Sequence, residues 1–250
     1  MKFAIITDIH FGPEKLKKGV FRKLTRHSKD FVEVFVDRMN NNIKPEFVVQ
    51  LGDAIQDKDY QTDKENFSLC LEVLNKLNCP IYHVIGNHDN CNLKDEDLEK
   101  KINKSSLYYS FDQKDHHFVV LHSKELHKNI AETEIPKIQL EWLRQDLDKT
   151  TKPTIIFSHH SLSDQDLTGN FWFEENPECC LIKNRLEVRK IFEESKKVKA
   201  VLNGHLHWNQ MTVHNSIPYF TITSLIENFE NNDIASEAHA ITKLDDKSIN

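Results

Sequence analysis

Seven side chains able to hold a divalent metal ion, Asp8, His10, Asp53, Asn87, His159, His205 and His207, each stand just after a short apolar run. Asp8 and His10 follow FAIIT, Asp53 follows FVVQLG, Asn87 and its neighbour His88 follow IYHVIG, His159 follows TIIFS, and His205 and His207 follow AVLNG. Alone, an Asp-x-His or His-x-His pair is mostly surface or packing chemistry. Joint placement at five strand ends reads otherwise. Ligand sites in open α/β sheets lie beyond the carboxyl ends of the strands, where segments distant in sequence converge on one crevice.

Mixed Asp, Asn and His ligands suit borderline divalent metals such as Mn, Fe, Co, Ni or Zn, whereas Cys-rich sets favour Zn and all-oxygen sets favour Mg or Ca. One carboxylate can bridge two cations, and two ions about 3.5 to 4 Å apart clamp an in-line displacement at phosphorus. Asp53 is the expected bridge. In Asp8-Ile9-His10 and His205-Leu206-His207 an extended backbone is expected to point both ligands to one side and turn Ile9 and Leu206 away. Gly52, Gly86 and Gly204 directly precede Asp53, Asn87 and His205, where small residues leave room for ions beside the backbone.

The elements that must position these groups are legible as well. Phe3 to Thr7, Phe47 to Leu51, Ile81 to Ile85, Phe118 to Leu121, Thr154 to Phe157 and Val198 to Leu202 are β-rich apolar runs and predict buried strands. Between them, Leu24, Phe31, Val34, Phe35 and Met39, then Phe67, Leu71, Leu74 and Leu77, then Ile138, Leu140, Leu143 and Leu147 recur at helical spacing and predict helices covering a sheet. The alternation predicts an α/β fold with a largely parallel sheet. Later, Val198 to Leu202, Met211 to His214, Ile217 to Thr223 and Ala238 to Lys243 crowd together with little helix. That predicts antiparallel pairing, a hairpin at Asn215-Ser216 and two sheets face to face. With no repeat or linker, residues 1–250 read as one domain, and the polar stretch 245–250 is expected to fray.

Bulk composition narrows the function. Net charge is −6 with His neutral, and the 33 Lys and Arg are scattered, so no long nucleic acid is expected as a partner. The opening MKFAIITDIHFG reaches Asp8 too soon for a signal peptide, and no run approaches a membrane span. Five cysteines without a CxxC pair are expected to be reduced thiols, Cys179-Cys180 included, and the protein is expected in the cytoplasm. His27, His83, His116, His117, His122, His127, His214 and His239 read as surface or packing residues. The acidic run Lys94 to Lys101 reads as a solvated helix face. Between Ser161 and Cys180 lies a long stretch of little regular pattern, and its Phe171-Trp172-Phe173 could either stack on a base or pin the loop. Phe11 after His10 and Trp208 after His207 are placed by proximity to line a pocket, with Trp172 as a third candidate.

The segments TDIHFG, LGDAIQD, IGNHDN, FSHHSL and NGHLHWN look like the five blocks of the calcineurin-like metallophosphoesterases, in that family's order, and most resemble its compact bacterial-type phosphodiesterases. The resemblance implies a four-layer αββα fold, a two-sheet β-sandwich flanked by helices. It implies one metal held by Asp8, His10, Asp53 and His207 and another by Asp53, Asn87, His159 and His205. His88 would sit beside the phosphate without binding metal, and Asp89 would orient its ring. The first of the two adjacent histidines, His159, would be the ligand, and His160 would stand behind or contact substrate. The second block departs from GDxxD, its second acid falling one place late at Asp57, so Asp57 receives no role.

The chemistry implied is in-line attack of a metal-bridging hydroxide on a small phosphodiester or pyrophosphate, a cyclic nucleotide or nucleotide-diphosphate derivative, with His88 protonating the leaving group. Two divalent or mixed-valence ions are the expected cofactors. A phosphomonoesterase or nuclease of the same family is the alternative. A scaffold that keeps the fold without catalysis would be expected to lack ligands, and all seven and His88 are present.

Overall fold

The computed structural model describes residues 1–16, 19–127, 130–231 and 234–244; the stretch 245–250, expected to fray, lies outside them. From the N-terminus run β1 (Lys2–Ile6), α1 (Ser28–Arg38), β2 (Val48–Leu51), α2 (Tyr60–Leu74), β3 (Ile81–Val84), the single turn α3 (Asn87–Asn90) and α4 (Asp95–Lys101). Then come β4 (Tyr109–Gln113), β5 (His116–Val120), β6 (Lys124–His127), β7 (Ile130–Glu134), α5 (Lys137–Lys149) and β8 (Thr154–Ser158). The last third holds α6 (Arg185–Ser195), β9 (Val198–Asn203), β10 (Gln210–His214), β11 (Ile217–Thr221) and β12 (Ala240–Lys243). Among the described residues no helix is long and apolar enough to cross a membrane.

The strands make two main sheets, β12-β1-β2-β3 and β10-β11-β9-β8-β5-β4, with β6-β7 as a separate pair. The inner strands are parallel: Ile6 lies opposite Gln50, Leu51 opposite Val84, and Phe157 opposite Leu202. Their carboxyl ends therefore finish together, and those ends carry the candidate ligands.

Period-two alternation along each strand sorts side chains into layers. Phe3, Ile5, Val49, Leu51 and Val84 of one sheet pack with Phe118, Val120, Ile155, Phe157 and Leu202 of the other. Phe3 stacks on Phe47 with ring centres 4.8 Å apart and meets Phe118 and Phe157 edge-on. The intervening Ala4, Ile6 and Val48 face Val32, Phe35, Phe67 and Leu74 of α1 and α2. Val119, Ile156 and Val201 face Leu140, Leu143, Val188 and Phe192 of α5 and α6. Strands covered on both faces must be apolar throughout, which is why they read as continuous runs. The result is the expected mixed α/β arrangement of two sheets flanked by helices.

Three details depart from the sequence reading. The hairpin turns at Asn215 and Ser216, with φ of 48° and 66°, the left-handed pair that a tight β10/β11 turn requires. However, β11 pairs parallel to β9, because β10 runs out to the sheet edge and the hairpin reverses the chain. The strand β12 leaves for the other sheet and pairs antiparallel with β1. Val34 and Ile138, counted among the covering positions, are 62% and 68% exposed, since they fall off the buried stripe of their helices. The acidic run forms α4 as expected and buries only Leu98.

Candidate metal centre

Asp8 and His10 leave β1, Asp53 leaves β2, Asn87 and His88 leave β3, His159 leaves β8, and His205 and His207 leave β9. All seven expected ligands converge there. On one side, His10 Nε2 lies 3.2 Å from His207 Nε2, 3.9 Å from Asp8 Oδ1 and 3.8 Å from Asp53 Oδ2, and His207 Nε2 lies 3.3 Å from Asp8 Oδ1. On the other side, His159 Nε2 lies 3.2 Å from both Asp53 Oδ2 and His205 Nδ1. Asp53 Oδ2 thus faces both groups, while its Oδ1 accepts from the His88 backbone N–H at 3.0 Å.

The donor set fits divalent metals on two independent observations. Ligating histidines usually donate their second N–H to an acceptor that fixes the tautomer. Here His159 Nδ1 faces the Leu51 carbonyl at 2.9 Å, His205 Nε2 faces the Cys179 carbonyl at 3.1 Å, and His207 Nδ1 faces the Glu227 carboxylate, so each frees its other nitrogen for an ion. In addition, Asn87 Oδ1 is buried beside the site with no hydrogen-bond partner, a cost a bound cation would remove.

Electrostatics agrees. Burial alone would raise the Asp8 and Asp53 carboxyls, but His207 holds Asp8 below its ordinary value and His159 and His88 hold Asp53 well below. Burial alone would lower His159, but Asp53 and Asp8 push it up to about 9. His205 falls well below the ordinary value through burial, aided by His159.

The backbone does not follow the expected extended path. Asp8, His10, Asp53, His205 and His207 all have left-handed φ, between 51° and 69°, which non-glycine residues rarely adopt and which clusters at functional sites. Tight turns, not alternation, bring each ligand pair to one side. Ile9 and Leu206 do turn away, fully buried. Gly52 has φ of 102°, and a Cβ there would collide with the His159 ring; one at Gly86 would fall on the Asp53 carboxylate. The expected small residues are required by those close approaches.

His88 stands beside the ligands, its Nε2 3.9 Å from Asp53 Oδ2. Its Nδ1 is held by the Asp57 carboxylate, and Gln56 Nε2 donates to the same Asp57 oxygen at 2.8 Å. The expectation that Asp89 orients His88 is therefore corrected. Asp89 is buried and accepts from the backbone N–H groups of Gly86 at 2.9 Å and Ile55 at 3.1 Å, tying the start of α3 to the β2 turn. Burial, then the neighbouring Asp53, raises its carboxyl to about 7. Asp57, given no role by motif spacing, meets His88 just beyond the stretch Ala54 to Gln56 that pairs with Phe11.

A cavity of about 320 Å³ opens over the centre, lined by Asp53, Asn87, His88, His205 and His207 on one side and Lys23, His160, Trp172 and Phe173 around it. Trp172 and His160 both line the cavity, with His160 Nδ1 paired to Ser123 Oγ at 2.7 Å. Phe11 and Trp208 are not. Backbone pairing of Phe11 with Ala54 and Gln56 turns its ring into the helix-side core, and Trp208 packs on Leu167, Cys180 and Leu206.

Sequence reasoning missed Glu227, Arg22 and Lys23. Glu227 is fully buried and joins His207 to Arg22 Nε at 2.6 Å and to the Trp172 indole N–H at 2.9 Å. No motif marks these residues, although an acid and a base at positions that otherwise read as connecting chain were a weak signal.

A family model described as calcineurin-like phosphoesterase matches residues 1–209, and the chain belongs to that family of phosphoesterase hydrolases, which use divalent metal ions. It is 23% identical over 216 residues to a protein of Fibrobacter succinogenes named a probable cyclic nucleotide phosphodiesterase, covering 85% of this chain and 75% of that one. It is 27% identical over 118 residues to the manganese-dependent ADP-ribose/CDP-alcohol diphosphatase of Xenopus laevis, covering 44% of this chain and 33% of that one. A dimetal phosphatase from Danio rerio has the same fold, with a TM-score of 0.78 and 19% identity over 99% of this chain and 94% of that one.

Proposed function

We propose that this chain hydrolyses a small phosphodiester or pyrophosphate, a cyclic nucleotide or nucleotide-diphosphate derivative, at a two-metal centre. The observation that carries the reading is Asp53 Oδ2 facing both ligand groups at the floor of an open cavity, with His88 beside it. Asp8, His10, Asp53 and His207 would hold one ion, and Asp53, Asn87, His159 and His205 the other. When bound, such a pair supplies an activated water and polarises the phosphorus–oxygen bonds.

The chain's own residues do the rest. His88 presents Nε2 to the leaving oxygen and delivers a proton there, while Asp57 keeps the opposite nitrogen protonated and the ring aimed. Trp172 and Phe173 offer aromatic faces that suit a base, and a cavity of about 320 Å³ suits a small ester better than a long nucleic acid. The manganese requirement in the name of the Xenopus relative supports Mn among the candidate ions. Packing of both sheets on one shared apolar layer supports a single domain, and cysteines without CxxC spacing support a reducing, cytoplasmic setting.

The test is metal analysis together with hydrolysis of bis(p-nitrophenyl) phosphate and p-nitrophenyl phosphate. Two ions per chain with faster turnover of the diester is the expected result. Two bound ions with neither compound hydrolysed would sink the reading.

A further inference from the structure

Lys23 lies outside every sequence block that supplies the centre, in the connection between β1 and α1, yet its ammonium reaches into the cavity. Nζ is 3.1 Å from His88 Nε2 and 3.4 Å from Gln56 Oε1, and it sits 5.2 Å from the centre of the Trp172 ring. Its position is not accidental to a flexible stem, because Trp172 is itself fixed by the bond from its indole N–H to Glu227, and Gln56 is tied to Asp57. Among the described residues no carboxylate oxygen comes within 4 Å of Nζ to form an ion pair. Burial lowers its pKa, and the carboxylates of Asp53, Glu227, Asp8 and Asp57 offset that only in part from beyond hydrogen-bond reach, so a closer anion in the cavity would be favoured.

Where that anion would come from follows from the order of groups along the cavity. Asp53 marks the place of the reacting phosphorus, and His88 Nε2 lies next to it, 3.9 Å from Asp53 Oδ2, where the leaving oxygen must be. Lys23 comes next, on His88 Nε2. The group it meets is therefore whatever the leaving oxygen is attached to. In a cyclic nucleotide or an aryl diester that atom is carbon, and an ammonium gains nothing from it. In a diphosphate it is a second phosphorus with ionised oxygens, and a charge-assisted hydrogen bond forms.

We infer that Lys23 binds the second phosphate of a diphosphate diester and sets a preference for cleavage between two phosphoryl groups. Water adds its oxygen to the phosphorus over Asp53, and the bond from that phosphorus to the bridging oxygen breaks. The bridging oxygen keeps the electron pair and departs on the second phosphate, which Lys23 holds. As Lys23 moves from His88 Nε2 onto that phosphate, Nε2 takes up a proton and gives it to the departing oxygen, and the ring is reprotonated from the water, whose other proton leaves to solvent. The products are two phosphate monoesters. This assignment rests on the phosphoesterase reading above and narrows its substrate.

The experiment compares wild type, Lys23→Gln and Lys23→Arg, each loaded with Mn, on ADP-ribose, 3',5'-cyclic AMP and bis(p-nitrophenyl) phosphate. Melting temperature and metal content check that each variant is folded and loaded. Wild type is expected to favour ADP-ribose. In Lys23→Gln the ratio of kcat/KM for ADP-ribose to that for either single-phosphate diester should fall about 10- to 100-fold, with most of it restored in Lys23→Arg. Affinity for non-hydrolysable α,β-methylene-ADP, read by calorimetry, should fall in step. A ratio that moves less than about threefold, well under one charge-assisted bond, overturns the Lys23 assignment alone, as does a wild type that favours cyclic AMP. A loaded wild type that hydrolyses none of the three overturns the phosphoesterase reading itself, and this inference with it.

Discussion

The carboxylate of Asp57 holds Nδ1 of His88, leaving Nε2 of the same ring to face Asp53 and the cavity. Such a pair fixes one tautomer, and Asp53 and Asp57 partly offset the burial and the Lys23 ammonium that hold the ring below its ordinary value. His88→Ala should lower kcat about 10²- to 10⁴-fold, the usual range for a lost general acid. Asp57→Asn should lower it about 10- to 100-fold, as for other residues that orient an active group. The backbone N–H that His88 gives to Asp53 survives in Ala, and Asp57 bonds to none of the expected ligands, so both variants should keep wild-type metal content by elemental analysis. Full turnover in Asp57→Asn would remove the pair from the reaction.

The centre was legible because ligand type and strand position coincide. A parallel strand buried on both faces announces itself as an apolar run, and residues just past it are forced to one edge. What the runs do not encode is direction. Phe11 and Trp208 follow ligands directly in sequence, but the left-handed turn at His10 and at His207 redirects the next side chain into the core. Asp57 was hidden by counting along a motif, whereas its reach to His88 depends on how the chain after Asp53 pairs with Phe11. Glu227 and Lys23 lie in irregular connections where no periodicity exists to read, so only the folded chain brings them to the site.

Glu227 supports the metal side of the centre from behind. Its carboxylate takes the N–H of His207, Arg22 and Trp172 together, in full burial. Glu227→Gln keeps the volume but loses the charge that raises His207's basicity, and it leaves Arg22 with a neutral partner. Metal retention in a chelator competition should weaken about 10- to 100-fold. Unchanged retention would mean that His207 needs no such support.

Metal uptake should depend on pH with a definite sign. In the metal-free chain the His159 imidazole sits at about 9, since Asp53 outweighs the effect of burial. Below that pH it carries a proton that must leave before Nε2 can bind an ion. Apparent affinity should therefore rise as pH increases from 6 to 9, and calorimetry in buffers of different ionisation enthalpy should detect proton release on Mn binding. Loss of the ions should also lower the melting temperature, because a ligand at 100 times its Kd stabilises the folded state by about 2.7 kcal/mol. Affinity that is flat across this range would contradict the assignment of His159 as a ligand.

Far from the centre, His117 tests the same electrostatics without a metal. Its Nδ1 lies 2.7 Å from Asp112 and its Nε2 2.8 Å from Asp146, with the ring nearly buried. Burial would lower its pKa, but Asp146 and Asp112 outweigh that and raise it. A histidine raised on folding stabilises the protein fully below its unfolded value near 6.5, and the contribution is lost as pH climbs through the folded value. Asp112 is 52% exposed, so solvent weakens its share and the whole effect should be about 1 kcal/mol. His117→Gln should therefore melt about 2 to 4 °C below wild type at pH 6. By pH 9 the gap should have narrowed, because wild type has by then lost the charged form that Gln never had. A gap that widens with pH would show that the ring is held neutral between the two carboxyls.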